Sequence, residues 1–370
     1  MVAKWAAMQA VLRSGLHSSK PFHVPHVRRA SSYSRHFSKL HGTFAERSTP
    51  SLTDKNLNIQ EWCADFLEVC RTSGGEGSID LDLNKQSIAE VKINNSAKKN
   101  ALSGTMMVEL EKIVTELEKW DGGKGVIVYG QGDVFCSGGD LDFVKRIASP
   151  ELGGQMSLFM QHTLHRFTNL PLISAAFVRG AAHGGGAELT TAVDYRIVGH
   201  TAEVRFVQAK MAITTGWGGA TRLTKILGPK VALEYLVSCR RMNSKNAKFL
   251  KYCELTANDN DGVELTREWM LDFLERAPPN IIRNYRKIVA AASSADASVE
   301  QSYDLERELF IQTWGNENHM AAIEEVFKEK ALRDEQIAAN AQRQKAAFEE
   351  KRSKELKNDS TQPAQESVVT

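Results

Sequence analysis

The sequence predicts an α/β protein, a layered core of strands and helices followed by a helical C-terminal region. Two observations carry this. From Ser78 to about Glu275, short apolar runs alternate with amphipathic stretches. Pro278-Pro279 then marks a break, after which helix-forming residues dominate.

The strands expected are Ile88–Ile93, Gly125–Tyr129, Leu172–Val178 and Tyr195–Val198. Between them, Met106–Lys119 places apolar residues three and four apart, and Gly154–Asn169 and Gly186–Val193 read as further helices. Ile281–Lys330 is the C-terminal helical piece, long enough to cover a neighbouring subunit or close over a ligand. Residues 325–357 are rich in helix formers and poor in large apolar residues, so a solvated helix fading into a charged tail over 331–370 is expected. No sustained heptad supports a coiled coil there.

The chain of 370 residues is 42% hydrophobic with a formal charge of +2, enough for one large core and no global electrostatic argument for nucleic acid or a membrane. No apolar window reaches the ~18 residues a bilayer span needs. The five cysteines (Cys63, Cys70, Cys136, Cys239, Cys253) include no CxxC pair, which argues against a zinc site and a disulfide framework and fits a reducing compartment. Residues 1–45 contain no Asp or Glu but carry Arg13, Arg28, Arg29 and Arg35 among many serines. That composition suits a mitochondrial transit peptide over roughly 1–50, or alternatively a disordered tail.

Three glycine-bearing segments stand out. SGGDL at 137–141 follows a strand; Gly138 and Gly139 allow close backbone approach, and Asp140 and Leu141 open a helix. HGGGAEL at 183–189 puts Gly184, Gly185 and Gly186 between a buried strand and a helix, baring backbone N–H groups to an anion. It is not a dinucleotide fingerprint, because GxGxxG is absent. GWGGATRL at 216–223 is a third bend into a helix, and its Trp217 is either core or the wall of an acyl pocket. Two N–H donors from separate loops make an oxyanion hole, each worth roughly 3 kcal/mol when aimed at transition-state charge.

KKNAL at 98–102, SGGDL, HGGGAEL about 45 residues on and GWGGATRL about 30 further together resemble the enoyl-CoA hydratase/isomerase (crotonase) family over roughly residues 78–330. The resemblance implies a crotonase-like spiral of ββα units, with trimers pairing into hexamers. It implies that the Gly139 and Gly185 amides form the oxyanion hole, and that Gly138–Asp142 and Gly184 line the path of an acyl-coenzyme A. Lys98 or Lys99 would meet coenzyme A phosphates, or be ordinary surface. No metal or prosthetic group is implied, since coenzyme A arrives with the substrate.

One departure decides the expected chemistry. Family hydratases use two glutamates; the first matches Glu188, and the second falls at Lys210. A cation cannot serve as that carboxylate, so hydration is disfavoured. Within the family, FVQAKM leading to GWGGATRL resembles its decarboxylating members, and that resemblance implies decarboxylation of ethylmalonyl-CoA, and more weakly of methylmalonyl-CoA, as metabolite repair. Glu188 is the candidate for positioning or proton delivery, or else a structural carboxylate at a helix start. His183 is a candidate proton donor, or a wall residue. An enoyl-CoA isomerase using Glu188 alone, and a non-catalytic acyl-CoA-binding homologue, are the alternatives. The acid-free start points to the mitochondrial matrix, whereas the resemblance points to the cytosol.

Overall fold

The computed structural model describes residues 50–52, 57–83, 86–293 and 298–359. The acid-free stretch 1–45 lies outside these, as do residues 360–370 of the tail.

Six strands form the main sheet: β1 (Ser78–Asp82), β2 (Ile88–Asn94), β3 (Gly125–Gly130), β4 (Ile173–Val178), β6 (Tyr195–Gly199) and β9 (Leu255–Ala257), in the spatial order β1-β2-β3-β4-β6-β9. β1 pairs antiparallel with β2, and every other pair is parallel. A second sheet holds β5 (Ala181–His183), β7 (Glu203–Arg205) and β8 (Met242–Asn243). Parallel strands are buried on both faces, which is why β3 and β4 read as nearly continuous apolar runs, whereas β2 carries Glu90 and Lys92 and β6 carries Arg196. Alternate side chains serve different cores: Val126 and Val128 of β3 join the larger one, while Ile127 joins a smaller one with Ala175, Phe177, Met270 and Leu274.

After a single helical turn at Ile59–Trp62, the helices of six residues or more are, in chain order, α1 (Ala64–Ser73), α2 (Gly104–Lys119), α3 (Leu141–Arg146), α4 (Pro150–Thr168), α5 (Gly185–Thr190), α6 (Gly219–Leu227), α7 (Pro229–Ser238), α8 (Ser244–Phe249), α9 (Gly262–Leu274), α10 (Pro279–Ala292), α11 (Val299–Thr313) and α12 (Glu317–Asp359). α1 lies upstream of residue 78; its Phe66 is fully buried and packs its ring on Phe143 and Phe159. Arg166 of α4 ties down α2 through Glu111 and Glu118, both at 2.6 Å. α9 supplies the smaller core's Met270 and Leu274.

The C-terminal region divides into α10, α11 and α12. Arg286 anchors α10 by reaching Asp194 at 2.6 Å and the carbonyl of Thr168 at 2.7 Å. Gly315, at φ +73°, separates α11 from α12. α12 then runs through residue 331 without interruption, because no glycine or proline occurs between 317 and 359. Its large apolar side chains Val326, Phe327, Ile337 and Phe348 are exposed. Among the described residues, no helix is long and apolar enough to cross a membrane.

Candidate active site

The site grows from two chain crossings at the ends of strands. After β3 the chain passes between Leu102 and β5. Cys136 bridges to Ala182 on one side, with its N–H donating to the Ala181 carbonyl at 3.0 Å and its carbonyl accepting from the His183 N–H at 2.9 Å. Two residues on, the bridge changes sides. The Gly138 carbonyl accepts from the Leu102 N–H at 2.7 Å, and the Asp140 N–H donates to the Leu102 carbonyl at 2.8 Å. All described peptides are trans, so the Gly139 N–H points opposite to the Gly138 carbonyl, away from Leu102 and towards the β5 side.

On that side stands the HGGGAEL loop. Gly184, at φ +53°, donates its N–H to the Arg205 carbonyl at 2.9 Å and turns the chain so that Gly185 begins α5. The two loops touch through backbone: a Cβ on Gly138 (φ +103°) would sit 2.9 Å from the His183 carbonyl oxygen and 3.3 Å from the Gly185 nitrogen. Only glycine fits there. Among the described residues, neither the Gly139 N–H nor the Gly185 N–H donates to a protein group. Gly185 is backed by the Trp217 ring, which a Cβ would meet at 2.3 Å. Trp217 is nearly buried, and its indole N–H donates to Met156 Sδ at 3.0 Å.

Glu188 sits one turn into α5 and is 2% exposed. Its Oε2 accepts from the backbone N–H groups of Trp217 (2.9 Å) and Gly219 (2.8 Å), so the carboxylate ties the GWGG bend to α5. Its Oε1 accepts from Gln208 Nε2 at 2.8 Å. Arg222 of α6 clamps the same corner, donating to the Glu188 and Trp217 carbonyls at 3.2 and 2.9 Å. Burial pushes the Glu188 carboxyl above the usual carboxylate range, against the opposing pull of these three hydrogen bonds and Arg222.

The remaining expected site residues fall into separate settings. His183 turns its ring onto Glu203, Nε2 to Oε1 at 3.1 Å; Arg205 and Arg241 also approach Glu203, at 3.8 and 3.2 Å. Burial holds the imidazole below its ordinary range, outweighing the Glu203 charge. Lys98 pairs with Asp140 at 2.7 Å and Asp142 at 3.1 Å. Asp140 is buried and caps α3, accepting from the Asp142 and Phe143 N–H groups. Burial raises its carboxyl, but Lys98 and those N–H groups bring it below the usual range. Lys99 is exposed with left-handed backbone (φ +53°), and Leu141 and Asp142 are exposed. Lys210 is exposed on a short 3-10 turn, Gln208–Met211.

Gln208, Arg222 and Glu203 were not singled out as site residues in the sequence. The available signal was indirect: a glutamate buried after a glycine run needs donors, and the segments RFVQAKM and GWGGATRL contain them. Among the described residues, no three His, Cys, Asp or Glu side chains converge as a metal site.

The enoyl-CoA hydratase/isomerase pattern matches residues 84–334, more than half of the chain. The chain belongs to that family. Ethylmalonyl-CoA decarboxylase of Xenopus laevis is 39% identical over 256 residues, covering 69% of this chain and 85% of that protein. The Rattus norvegicus and Homo sapiens enzymes of the same name are 42% and 41% identical over 250 residues, covering 67% of this chain and 83% and 80% of theirs. An enoyl-CoA hydratase from Bacillus anthracis shares the fold with a TM-score of 0.62 at 24% identity, over 68% of this chain and 96% of that one. The crotonase fold expected from the motifs is therefore the fold observed.

Proposed function

We propose that this protein decarboxylates ethylmalonyl-CoA, and more weakly methylmalonyl-CoA, through a thioester enolate held by the Gly139 and Gly185 amides. One observation carries the reading: two unclaimed N–H groups on touching loops accompany a single buried carboxylate, Glu188, whose side-chain partner is the neutral amide of Gln208, while Lys210, where the family resemblance puts a hydratase's second carboxylate, is an exposed cation. Relatives 39–42% identical that are named for this reaction support it.

The chemistry starts without a base. The bond from C2 to the free carboxylate breaks, carbon dioxide leaves, and the electron pair moves into the thioester carbonyl. The two amides stabilise the resulting oxyanion, each by roughly 3 kcal/mol when aimed at the developing charge. A proton must then reach C2. Glu188, held neutral more readily by burial, supplies it and is reprotonated from solvent. The apolar surroundings of Trp217 disfavour the localised charge of the departing carboxylate relative to its spread-out transition state. His183 is engaged with Glu203, so it ranks behind Glu188 as donor.

No metal or prosthetic group enters this scheme, and coenzyme A comes with the substrate. Assembly into trimers or hexamers, metabolite repair as the biological role, and a mitochondrial matrix location set by residues 1–45 (with cytosol as the alternative) belong to the same proposal. A second reading, enoyl-CoA isomerisation, draws on the same single buried carboxylate acting as a proton shuttle. Incubation with ethylmalonyl-CoA, methylmalonyl-CoA and crotonyl-CoA in parallel, read by mass, tests the choice. Butyryl-CoA from ethylmalonyl-CoA supports decarboxylation. Hydration of crotonyl-CoA with untouched malonyl thioesters overturns it.

A further inference from the structure

The Glu188–Gln208 pair contains an inconsistency in hydrogen bonding that has a chemical meaning. Gln208 is 8% exposed, and its Nε2 donates to Glu188 Oε1 at 2.8 Å. Its own Oε1 is buried with no hydrogen-bond partner among the described residues. Leaving a buried amide oxygen unmatched is costly.

The carboxylate is equally lopsided. Oε2 is committed to two backbone N–H donors, Trp217 and Gly219, whereas Oε1 takes only the Gln208 amide. A proton arriving at Glu188 therefore settles on Oε1, the oxygen with spare capacity. There it would face the Gln208 NH2 group, donor against donor. Turning the amide by 180° removes the conflict: Gln208 Oε1 then accepts from the protonated Glu188, and Nε2 moves to where the orphaned oxygen was. An amide supplies a donor and an acceptor from nearly identical shapes, so the turn costs almost no repacking.

We infer that Gln208 is the positioning residue for the proton on Glu188: its amide donates to the carboxylate, turns over, and accepts from the carboxylic acid. This rests on the decarboxylation reading for its catalytic consequence. Gln208 holds the acidic proton on Oε1, and the proton leaves for C2 as the amide returns to its donating orientation.

The groups that bear on Glu188 are few. Arg222 of α6 lowers its proton affinity, with Tyr252 in turn acting on Arg222. His183 of β5 faces Glu203 instead, and Lys210, beside Gln208 on the 3-10 turn, is exposed.

The test reads the pair directly in the full chain. The Glu188 carboxylic-acid stretch is titrated by infrared difference spectroscopy against Glu188→Gln, and the Gln208 side-chain amide is followed by selective 15N labelling. In wild type, the Gln208 amide signal moves with the same midpoint as the carboxyl. In Gln208→Met, which keeps the volume and removes both polar atoms, the midpoint rises by about one pH unit, tenfold in proton affinity, because a bond to the charged form is worth more than one to the neutral form. The falling limb of the rate profile rises with it. An amide signal indifferent to the carboxyl titration, or an unshifted midpoint with only a lower rate, overturns the inference and leaves Gln208 a packing residue. The amide measurement uses wild type, so it stands even if the methionine variant folds poorly. If the amide tracks the carboxyl while ethylmalonyl-CoA is untouched, the reaction reading fails and the Gln208 assignment survives. Turnover with an unmoved amide means the reverse.

Discussion

The Gly139 amide can be removed without removing anything the fold uses, which makes it the sharpest mutational probe of the site. Its N–H donates to no protein group among the described residues, and the neighbouring bridge to Leu102 runs through the Gly138 carbonyl and the Asp140 N–H. Gly139 is not among the positive-φ glycines, so it has no need of a left-handed backbone. Two substitutions separate space from hydrogen bonding. In Gly139→Ala, the added Cβ meets one atom, Val144 Cγ2 at 3.3 Å, on a side chain 37% exposed and free to give way. The cost should stay under about 1 kcal/mol, with the N–H intact. Gly139→Pro deletes the N–H. Losing one donor of about 3 kcal/mol lowers kcat roughly a hundredfold at 25 °C. The assay is butyryl-CoA formation from ethylmalonyl-CoA at saturating substrate, alongside thermal melting of each variant. The expectation is a proline variant that melts close to the alanine variant yet turns over about two orders of magnitude more slowly. A folded proline variant within about fivefold of the alanine variant would rule out this role for Gly139, because its amide would then carry less than ~1 kcal/mol of the stabilisation assigned to it.

Four further outcomes follow from named groups. Glu188→Gln keeps an oxygen for the Trp217 and Gly219 N–H groups, so the variant should melt near wild type while kcat falls by about 10²–10⁴; its rate profile should also lose the falling limb, since activity in wild type declines as pH rises through a raised Glu188 midpoint. The His183 imidazole is held low by burial, so it stabilises the fold above the ordinary imidazole range and loses that contribution as pH falls through its folded value; the melting temperature of His183→Leu should accordingly fall less than that of wild type between neutral and mildly acidic pH. Burial pushes the Cys63, Cys70 and Cys136 thiols up to about 12, and a thiol-disulfide reagent at neutral pH should label none of the three until the protein unfolds. Arg267 pairs with Glu90 where both side chains are about 6% exposed, so Arg267→Met should cost about 3–5 kcal/mol in urea unfolding by removing the cation that faces the buried Glu90 carboxylate, to which the Tyr129 hydroxyl still donates.

What could be read from the sequence followed how locally each feature is determined. β3 and β4 were legible because burial on both faces makes each a nearly continuous apolar run, β2 and β6 because their apolar residues outnumber the polar Glu90, Lys92 and Arg196, and α2 and α4 because their apolar residues keep helical spacing. β5, β7, β8 and β9 are two or three residues long and exist through their partners, so their own residues announce nothing. α1 is short, and its burial of Phe66 depends on α4 and on Phe143 of α3. The C-terminal region, one helical piece in the sequence, divides at Gly315 and near Ser298, a capping-box serine. The glycine loops were legible because glycine is demanded by close backbone approach at Gly138 and by the Trp217 ring packed on Gly185. Which side chains surround Glu188 was not legible. Gln208 and Arg222 lie 20 and 34 residues away in the chain and meet it only through the fold.

In the proposed reaction carbon dioxide leaves first and a proton then reaches the same carbon. The most direct measurement is a reaction of ethylmalonyl-CoA, labelled with 13C in its free carboxyl, in heavy water. The expected result is one labelled carbon dioxide released for each butyryl-CoA formed, with one deuterium at C2. Retained label with no butyryl-CoA, while crotonyl-CoA takes up water under the same conditions, would contradict it.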